Sequence, residues 1–464
     1  MYSLSIHKVY DMLNHNLDNP DRLLSFLGTG IYSSPEIQQR FRYSQPTASR
    51  LLAQLGDRIA AIGNARARRY TKIRDVRGLG GDFPIFKIDT EGNAHQIGIL
   101  YAVAQDHFLW KPLNAKEQLF RSLPWFIADL HPEGFVGRAF VRQLHEKFGL
   151  PPRSVDWNED HALSALARRG EDTMGNLVIG QESIERYFRM ARELPTPIRE
   201  EEINQAYLRL AQEAVDGQPA GSSAGGEQPK FTAIVQRLGT ARNVLVKFSP
   251  PVSTEEGRRW ADLLICEHHA LQVIQNSGIS AAQSTIIEAG ERVFMEVVRF
   301  DRTGVLGRMP IISLRAIDNE FYGFQDNWIN AANRMANDGR LSPQDARSLR
   351  WLSVFGGLIG NNDQHFGNAS LIMLDSDKQY RLAPAYDVLP MAYRPVDGAV
   401  SLRPLNAPTV APRASNEWPS ALESASQFWN QTKSDIRISE KFRDICSENC
   451  KMVNDLFDGP RLFA

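Results

Sequence analysis

The feature that most constrains this chain is the stretch Ile359–Ile372, followed closely by Ala383–Leu389. Asp363 and Asn368 stand five residues apart in a polar, glycine-bearing segment between two apolar runs, a pattern that no buried face can hold, so the segment reads as a loop. Ser370–Leu374 and Gln379–Leu382 then flank Asp375–Lys378 as strand, turn and strand, and the second strand leads through Pro384 to Asp387. A short hairpin thus brings two carboxylates and a carboxamide near one another. Phosphoryl transfer uses such a set: one carboxylate takes the proton of the acceptor hydroxyl, while a carboxamide and the second carboxylate hold Mg²⁺ on the nucleotide phosphates.

Composition bounds the alternatives. The 464 residues, 42% of them hydrophobic, are enough for more than one core. A formal net charge of −1 leaves no chain-wide field to draw the protein onto nucleic acid or an anionic membrane. The first residues lack a long apolar core, and no apolar run approaches the roughly 18 residues that a bilayer span requires, so a cytoplasmic protein with no membrane partner is expected. Cys266, Cys446 and Cys450 are too few for a disulfide framework. Cys446 and Cys450 have helical spacing without neighbouring ligands, which assigns them to packing.

Residues 1–75 read as a separate, mostly helical unit. One helix runs through Leu23–Leu27. A second opens with Ser34 as its cap and Pro35 in its first turn, and a third with Ser44 as cap and Pro46 behind it. Two short helices at that spacing suggest a helix-turn-helix, and Ile59–Ile62, a Gly63-Asn64 turn and Ala65–Tyr70 suggest a two-stranded wing. Charge points the same way. Between Gln39 and Arg74 there are nine basic residues and a single acid, Asp57. Such a local excess in a nearly neutral chain is the footprint of phosphate binding, so double-stranded DNA is the expected partner. Gln45, Thr47, Ser49 and Arg50 would start the recognition helix, with Arg66, Arg68 and Arg69 on the wing. A small protein-interaction or dimerisation unit is the other reading of this region.

The middle is less informative. Phe83–Tyr101 reads as a hairpin turning at Glu91–Asn93, with another strand through Phe108–Trp110. The aromatic-rich Leu123–Gly134 contains His131 and Glu133, which are assigned to packing because no third polar group stands at useful spacing. From Asp216 to Lys230 the chain becomes rich in Gly and Ser. Gly225 and Gly226 permit close backbone approach to phosphates, and Gln228 and Lys230 lead into a strand through Phe231–Gln236. Asn243–Ser249 is a further strand carrying Lys247 among apolar neighbours, where an ammonium needs an anion. The helical run Glu255–Gln275 brings Glu267 as the carboxylate that would position Lys247. Hairpin strands Ser284–Glu288 and Arg292–Val298 lead into Arg299–Arg302, where a connection between two lobes would meet adenine.

In order and spacing, Ser223–Lys230, Val246-Lys247, Val298–Arg302, Asn362–Asn368 and Ala385–Val388 resemble the HipA-type serine/threonine kinases from about residue 80 onward. The resemblance implies an α+β, bilobal kinase-like fold with an N-terminal winged helix-turn-helix unit: residues 1–75 for DNA, 76–300 for the N-terminal lobe, 301–464 for the helical C-terminal lobe. It implies ATP and Mg²⁺ as cofactors, Asp363 as catalytic base, Asn368 and Asp387 as metal ligands, Lys247 as the phosphate-contacting lysine, and Val298–Phe300 as the hinge. His365, inside the catalytic loop, either contacts the nucleotide or, as favoured here, holds the loop by a hydrogen bond. Ser223, with Ser222 beside it, falls at the serine that such kinases autophosphorylate. Two departures stand out: the hinge has Val298 where the family has Glu, and the DNA-binding unit usually supplied by a separate antitoxin is fused here, as in the YjjJ-like branch. The resemblance thus implies a toxin-associated protein kinase acting on Ser/Thr of a protein substrate, with an antitoxin or a homodimer as further partners. A DNA-binding regulator that only senses nucleotide, and a kinase for a small-molecule hydroxyl, are the competing readings.

Overall fold

The computed structural model describes residues 19–132, 134–216, 228–374, 379–396, 398–400, 405–406, 408–409 and 411–458. The first unit comprises α1 (Pro20–Leu27), β1 (Tyr32–Ser33), α2 (Ser34–Phe41), α3 (Gln45–Leu55), β2 (Ile59–Ile62) and β3 (Arg69–Lys72). Leu23, Leu27, Ile37, Ala48, Leu51 and Leu55 close a small core among the helices. The cap of α2 is Ser33, not Ser34. Ser33 forms a reciprocal capping box with Glu36, which leaves Ser34 inside the first turn beside Pro35. The expected two-stranded wing is a three-stranded antiparallel sheet in the order β1-β3-β2, and a short 3-10 turn at Ala65–Ala67 delays β3 until Arg69.

The second unit is built on a five-stranded sheet, order β7-β6-β5-β4-β8. Its strands and helices are β4 (Asp82–Ile88), β5 (Ala94–Ala102), β6 (Phe108–Pro112), β7 (Gln118–Phe120), α4 (Trp125–Ala128), α5 (Gly134–Phe148), α6 (Glu159–Arg169), β8 (Leu177–Ile179) and α7 (Gln181–Arg192). The first unit is stitched to this sheet. Arg74 donates its backbone N–H to Ala102, Lys111 Nζ reaches the Ala61 carbonyl at 3.0 Å, and Glu117 accepts from the Gly63 backbone. Arg74 turns inward to Asp160 at 2.5 Å, and Arg58 pairs with Asp21 at 2.9 Å. At least two of the nine cations counted from sequence, Arg58 and Arg74, therefore have carboxylate partners within the fold.

A second five-stranded sheet, order β12-β13-β11-β10-β9, follows, formed by β9 (Ile198–Arg199), β10 (Lys230–Arg237), β11 (Thr240–Phe248), β12 (Ser284–Ala289) and β13 (Arg292–Val298). Helix α8 (Ile203–Asp216) packs on one face, and the long α9 (Glu255–Asn276) runs between β11 and β12. A small hairpin of β14 (Arg302–Thr303) and β15 (Gly307–Arg308) leads on to the last part. There β16 (Ile311–Ser313), α10 (Leu314–Phe321), α11 (Trp328–Asn337) and α12 (Pro343–Leu358) precede the hairpin of β17 (Ser370–Met373) and β18 (Tyr380–Leu382). Helices α13 (Trp418–Ser434) and α14 (Glu440–Asp458) complete the chain. Helix α13 starts at Trp418 with Pro419 in its first turn, where the missing N–H costs nothing. The three cysteines are buried and free, and among the described residues no helix is long and apolar enough to cross a membrane.

Helix α9 belongs at once to the sheet and to the helical core. Its Trp260, Leu263, Leu264 and Ile274 join Phe355, Leu358, Phe428 and Trp429 in one apolar cluster, so both parts fix its position. Its start is set by Thr254, whose side chain accepts from the Gly257 N–H at 3.0 Å. A Cβ on Gly257 would lie 2.0 Å from the Pro251 carbonyl oxygen. Gly257→Ala is therefore expected to destabilise the protein by about 1–3 kcal/mol, read as a lower midpoint in denaturant unfolding; an unchanged midpoint would show that the start of the helix is free to shift.

Candidate active site

Cross-strand pairing sets the first part of the site. In the antiparallel register of β10 and β11, Lys230 lies opposite Lys247, and Thr232 opposite Leu245, so these four side chains share one sheet face. Lys247 Nζ lies 2.6 and 2.7 Å from the two carboxylate oxygens of Glu267 on α9, with both groups almost fully buried. The same ammonium also contacts Asp387 Oδ1. One cation thus stands between two carboxylates. Burial opposes the charge on Lys247, but Asp387 and Glu267 outweigh it and hold the ammonium above the ordinary lysine range. Burial raises Glu267, and Lys247 offsets only part of that rise. Asp387 is likewise penalised by burial, yet Lys247 and Lys230 bring it down to about 2.

Asp387 sits at φ 54°, a left-handed conformation rare outside glycine. Its neighbour Tyr386 anchors that turn: the phenol donates to the Gly367 carbonyl at 3.0 Å and shares a 2.7 Å hydrogen bond with Ser370. The turn is thereby tied to the loop that carries Asp363. That loop is bound internally. Asn361 Oδ1 accepts from the Asp363 N–H at 3.1 Å, and Asn368 Nδ2 donates to the Asp363 carbonyl at 2.9 Å while standing 3.5 Å from its carboxylate. His365 Nδ1 accepts from the Gly367 N–H at 3.0 Å, the structural bond favoured from sequence. Gln364 folds back onto α12, donating to Ser353 O at 3.1 Å; a Cβ on Gly356 would lie 2.3 Å from its amide nitrogen.

Lys247, Glu267, Val298, Phe300 and Asp387 line one cleft of about 630 Å³ between the second sheet and the helical part, with Gly367 and Ser370 on the far side. Asp363, Asn368, Gln228, Lys230 and His365 are not among its lining residues. Gln228 is buried, and its Nε2 has no hydrogen-bond partner among the described residues. Ser222, Ser223, Gly225 and Gly226 lie outside the described residues. At the hinge the Val298 and Arg299 backbone N–H groups are already taken, by Gln283 O at 2.8 Å and Asn243 O at 2.9 Å. Neither amide is open to adenine. Glu296 does not replace the missing hinge Glu, since it is bound by Arg237 at 3.0 and 3.1 Å and by Tyr207 at 2.6 Å.

Sequence reasoning missed one wall of the cleft. Asp129, His131 and Met174 from the second unit also line it. Asp129 accepts from the Ser313 N–H at 2.8 Å and from its hydroxyl at 2.5 Å, and so locks this wall to the start of α10. His131 packs against Trp157, with ring centres 5.7 Å apart. The segment's aromatic density was legible, but nothing local in it signals a partner 184 residues away. On the N-terminal unit, Gln45, Ser49 and Arg50 are exposed at the start of α3, as are Arg68 and Arg69 beside β2, while Thr47 is half-buried against its cap Ser44. The side chain of Arg66 lies outside the described residues.

Asp301, beyond the hinge, offers a test of the site's electrostatics. Burial would raise its carboxyl, but Arg299 and Arg302 hold it at about 2 against an ordinary 3.8. Its contribution to stability is complete above about pH 4 and disappears as pH falls toward 2. Asp301→Asn is expected to narrow the difference in melting temperature from wild type across that window; a constant difference from pH 5 to pH 2 would contradict the assignment.

Comparison with known proteins gives a consistent result. The family described as the YjjJ-like toxin middle domain matches residues 79–188, and that described as the HipA-like C-terminal domain matches residues 222–456. Toxin YjjJ of Escherichia coli (strain K12) is 37% identical over 443 residues, covering 94% of this chain and 97% of the toxin. Serine/threonine-protein kinase CtkA of Helicobacter pylori is 23% identical over 165 residues, 35% of this chain and half of that kinase. Among solved structures, HipA of Shewanella oneidensis, in a toxin-antitoxin complex with HipB and operator DNA, superposes with a TM-score of 0.50 at 16% identity, over 82% of this chain and all of HipA.

Proposed function

Since the chain belongs to the YjjJ-like toxins of the HipA-related, kinase-like family, we propose that it is an ATP- and Mg²⁺-dependent kinase that phosphorylates serine or threonine on a protein. The observation that carries this reading is Lys247 held by Glu267 and Asp387 at the wall of a nucleotide-sized cleft. The residues fit the cofactors. Asp387 and the Asn368 side-chain oxygen are hard donors of the kind Mg²⁺ takes, and Lys247 and Lys230 are cations for phosphate oxygens. Bound Mg²⁺ would neutralise charge on the phosphates. Lys247 orients the nucleotide under the restraint of Glu267, and Asp363, kept in place by Asn361 and Asn368, accepts the proton of the acceptor hydroxyl. Asp387, held by its left-handed turn and the Tyr386 anchor, would be the carboxylate that takes the metal, exchanging part of its contact with Lys247 for it.

Label transfer from ATP to protein tests this reading. Asp363→Ala and Asp387→Ala are each expected to lower incorporation by about a hundredfold or more. Equal, negligible incorporation by wild type and both variants, with ATP still bound, would favour a regulator that only senses nucleotide.

For the N-terminal unit we infer binding to double-stranded DNA through the start of α3. The support is the exposed row Gln45, Ser49 and Arg50 and the remaining cations near it. A regulatory toxin-like role follows if operator binding and phosphorylation reside in one chain, with Ser222 or Ser223 as the autophosphorylated residue and an antitoxin or a second copy as further partners. Affinity is expected to fall steeply with salt, and Arg50→Ala to reduce the log–log salt slope by about one. Binding insensitive to salt would count against DNA as the partner.

A further inference from the structure

Beyond the hinge, the same sheet face ends in a second cavity of about 180 Å³, lined by Thr232, Ile234, Asn243, Arg299, Arg302 and Arg308 among others. Three guanidinium groups meet there, which is costly unless each finds an anion. Two do. Arg299 and Arg302 share Asp301 at 2.8 and 2.6 Å, and Arg302 also reaches Asp172 at 2.9 Å. Arg308 does not. Among the described residues its guanidinium has no carboxylate within ion-pair distance: it donates to the Glu171 backbone carbonyl and lies over the Tyr187 ring at 5.1 Å. The nearby Glu171 carboxylate is paired with Arg169 at 3.3 Å. Arg308 is only 2% exposed, and among the described residues its Nη1 has no hydrogen-bond acceptor. With three arginines against Asp301 and Asp172, the pocket holds one positive charge in excess.

The backbone around Arg308 is fixed. Its N–H donates to Asp89 O at 2.9 Å, Asn243 bonds the Gly304 and Val305 carbonyls at 2.8 and 3.3 Å, and Tyr187 donates to Gly92 O at 2.6 Å. A Cβ on Gly307 would lie 1.9 Å from the Thr90 carbonyl oxygen. The cation therefore cannot swing out to water without dismantling the contact between the β14–β15 hairpin and the second unit. Burial, with repulsion from Arg302, pulls Arg308 down to about 10. A buried cation held rigidly beside a cavity, with an N–H group lacking an acceptor, is the arrangement an oxyanion completes.

We propose that this cavity binds a free, phosphate-sized oxyanion, with Arg308 as its principal ligand and Arg299 and Arg302 as the flanking cations. The site adjoins the Lys247 cleft, with which it shares Asp172, Thr232 and Arg299, but Arg302 and Arg308 lie outside that cleft and the proposal does not depend on the kinase reading. Its place between the second unit and the hinge means that an oxyanion would bridge Arg308 to Arg299 and Arg302 of the connection between the two lobes, and so would stiffen the hinge.

Inorganic phosphate titrated into the full-length protein, with chloride at equal ionic strength as control, tests the proposal by calorimetry and by melting temperature. Wild type is expected to bind one phosphate saturably and to melt higher with phosphate than with chloride. Arg308→Met should weaken that binding by about tenfold or more, whereas Lys451→Met, exposed on the last helix, should change it by less than about twofold. Asp172→Asn removes a half-exposed competing carboxylate and is expected to tighten binding by several-fold. No saturable binding, or undiminished binding in Arg308→Met, would overturn the site. If Arg308→Met fails to fold, Asp172→Asn decides: unchanged or weaker phosphate binding in that variant would also overturn it.

Discussion

A single buried ammonium between two carboxylates governs the architecture of this protein. Lys247 has almost no exposure, so in the absence of anions it would be expelled or neutralised. Its position requires Glu267 from α9 on one side and Asp387 from the turn after β18 on the other. The first contact ties the sheet to its crossing helix; the second ties it to the helical part. The set carries one more negative than positive charge, and burial and mutual repulsion keep Glu267 raised. Lys230, opposite Lys247 across the strands, moderates that imbalance. Under the proposed function, a metal-bound triphosphate would add a cation near Asp387 and anions near the two lysines, the charges that would rebalance this set.

The turn at Asp387 shows how distant segments are made to act together. A non-glycine residue in the left-handed region carries a conformational cost and persists only where its surroundings determine it. Tyr386 supplies that determination by bonding both Gly367 and Ser370. The loop that carries Asp363 is held in turn by Gln364, which fits on α12 only because Gly356 has no side chain. Displacement of one loop would therefore be felt by the other. The wall contributed by the second unit adds a third constraint, through Asp129 on Ser313 and through the Gly175 N–H on Asp301 at 3.2 Å.

Much of this was legible in the sequence where the signal was local. The strand carrying Lys247, the helix carrying Glu267, and the hairpin between Asn368 and Asp387 each announce themselves by apolar periodicity and turn residues within a dozen positions. Lys247 could be matched with Glu267 because an ammonium among apolar strand residues must find a carboxylate. The rest was not legible for identifiable reasons. Ser33 and Ser34 are both competent caps, and only the reciprocal bond from Glu36 separates them. Pro419 reads equally as a breaker and as a first-turn residue. The hinge amides of Val298 and Arg299 look available in sequence, but Gln283 and Asn243 occupy them through pairings that no local pattern encodes. A count of basic residues likewise cannot tell Arg74, turned onto Asp160, from Arg50 at the surface.

The attachment of the N-terminal unit bears on how a fused module can work. A tethered DNA-binding unit would leave the kinase-like part free to reorient, and binding at one would be uncoupled from the other except through effective concentration. Here the strand ends of the small sheet run directly into the larger one: Ile73 bridges to Val103, Arg74 bonds Ala102, and Ala60, Val103 and Leu109 share an apolar cluster. Lys111 binds β2 at Ala61 and Glu117 binds the Gly63 N–H, so the base of the β2–β3 turn is held by the second unit, while Arg68, Arg69 and the start of α3 remain exposed. The same second unit supplies Asp129 and Met174 to the cleft. Two sheets joined by the Ile73–Val103 bridge therefore lie between the surface proposed to face DNA and the wall of the Lys247 cleft, and a load on either is transmitted through packed strands rather than through a linker.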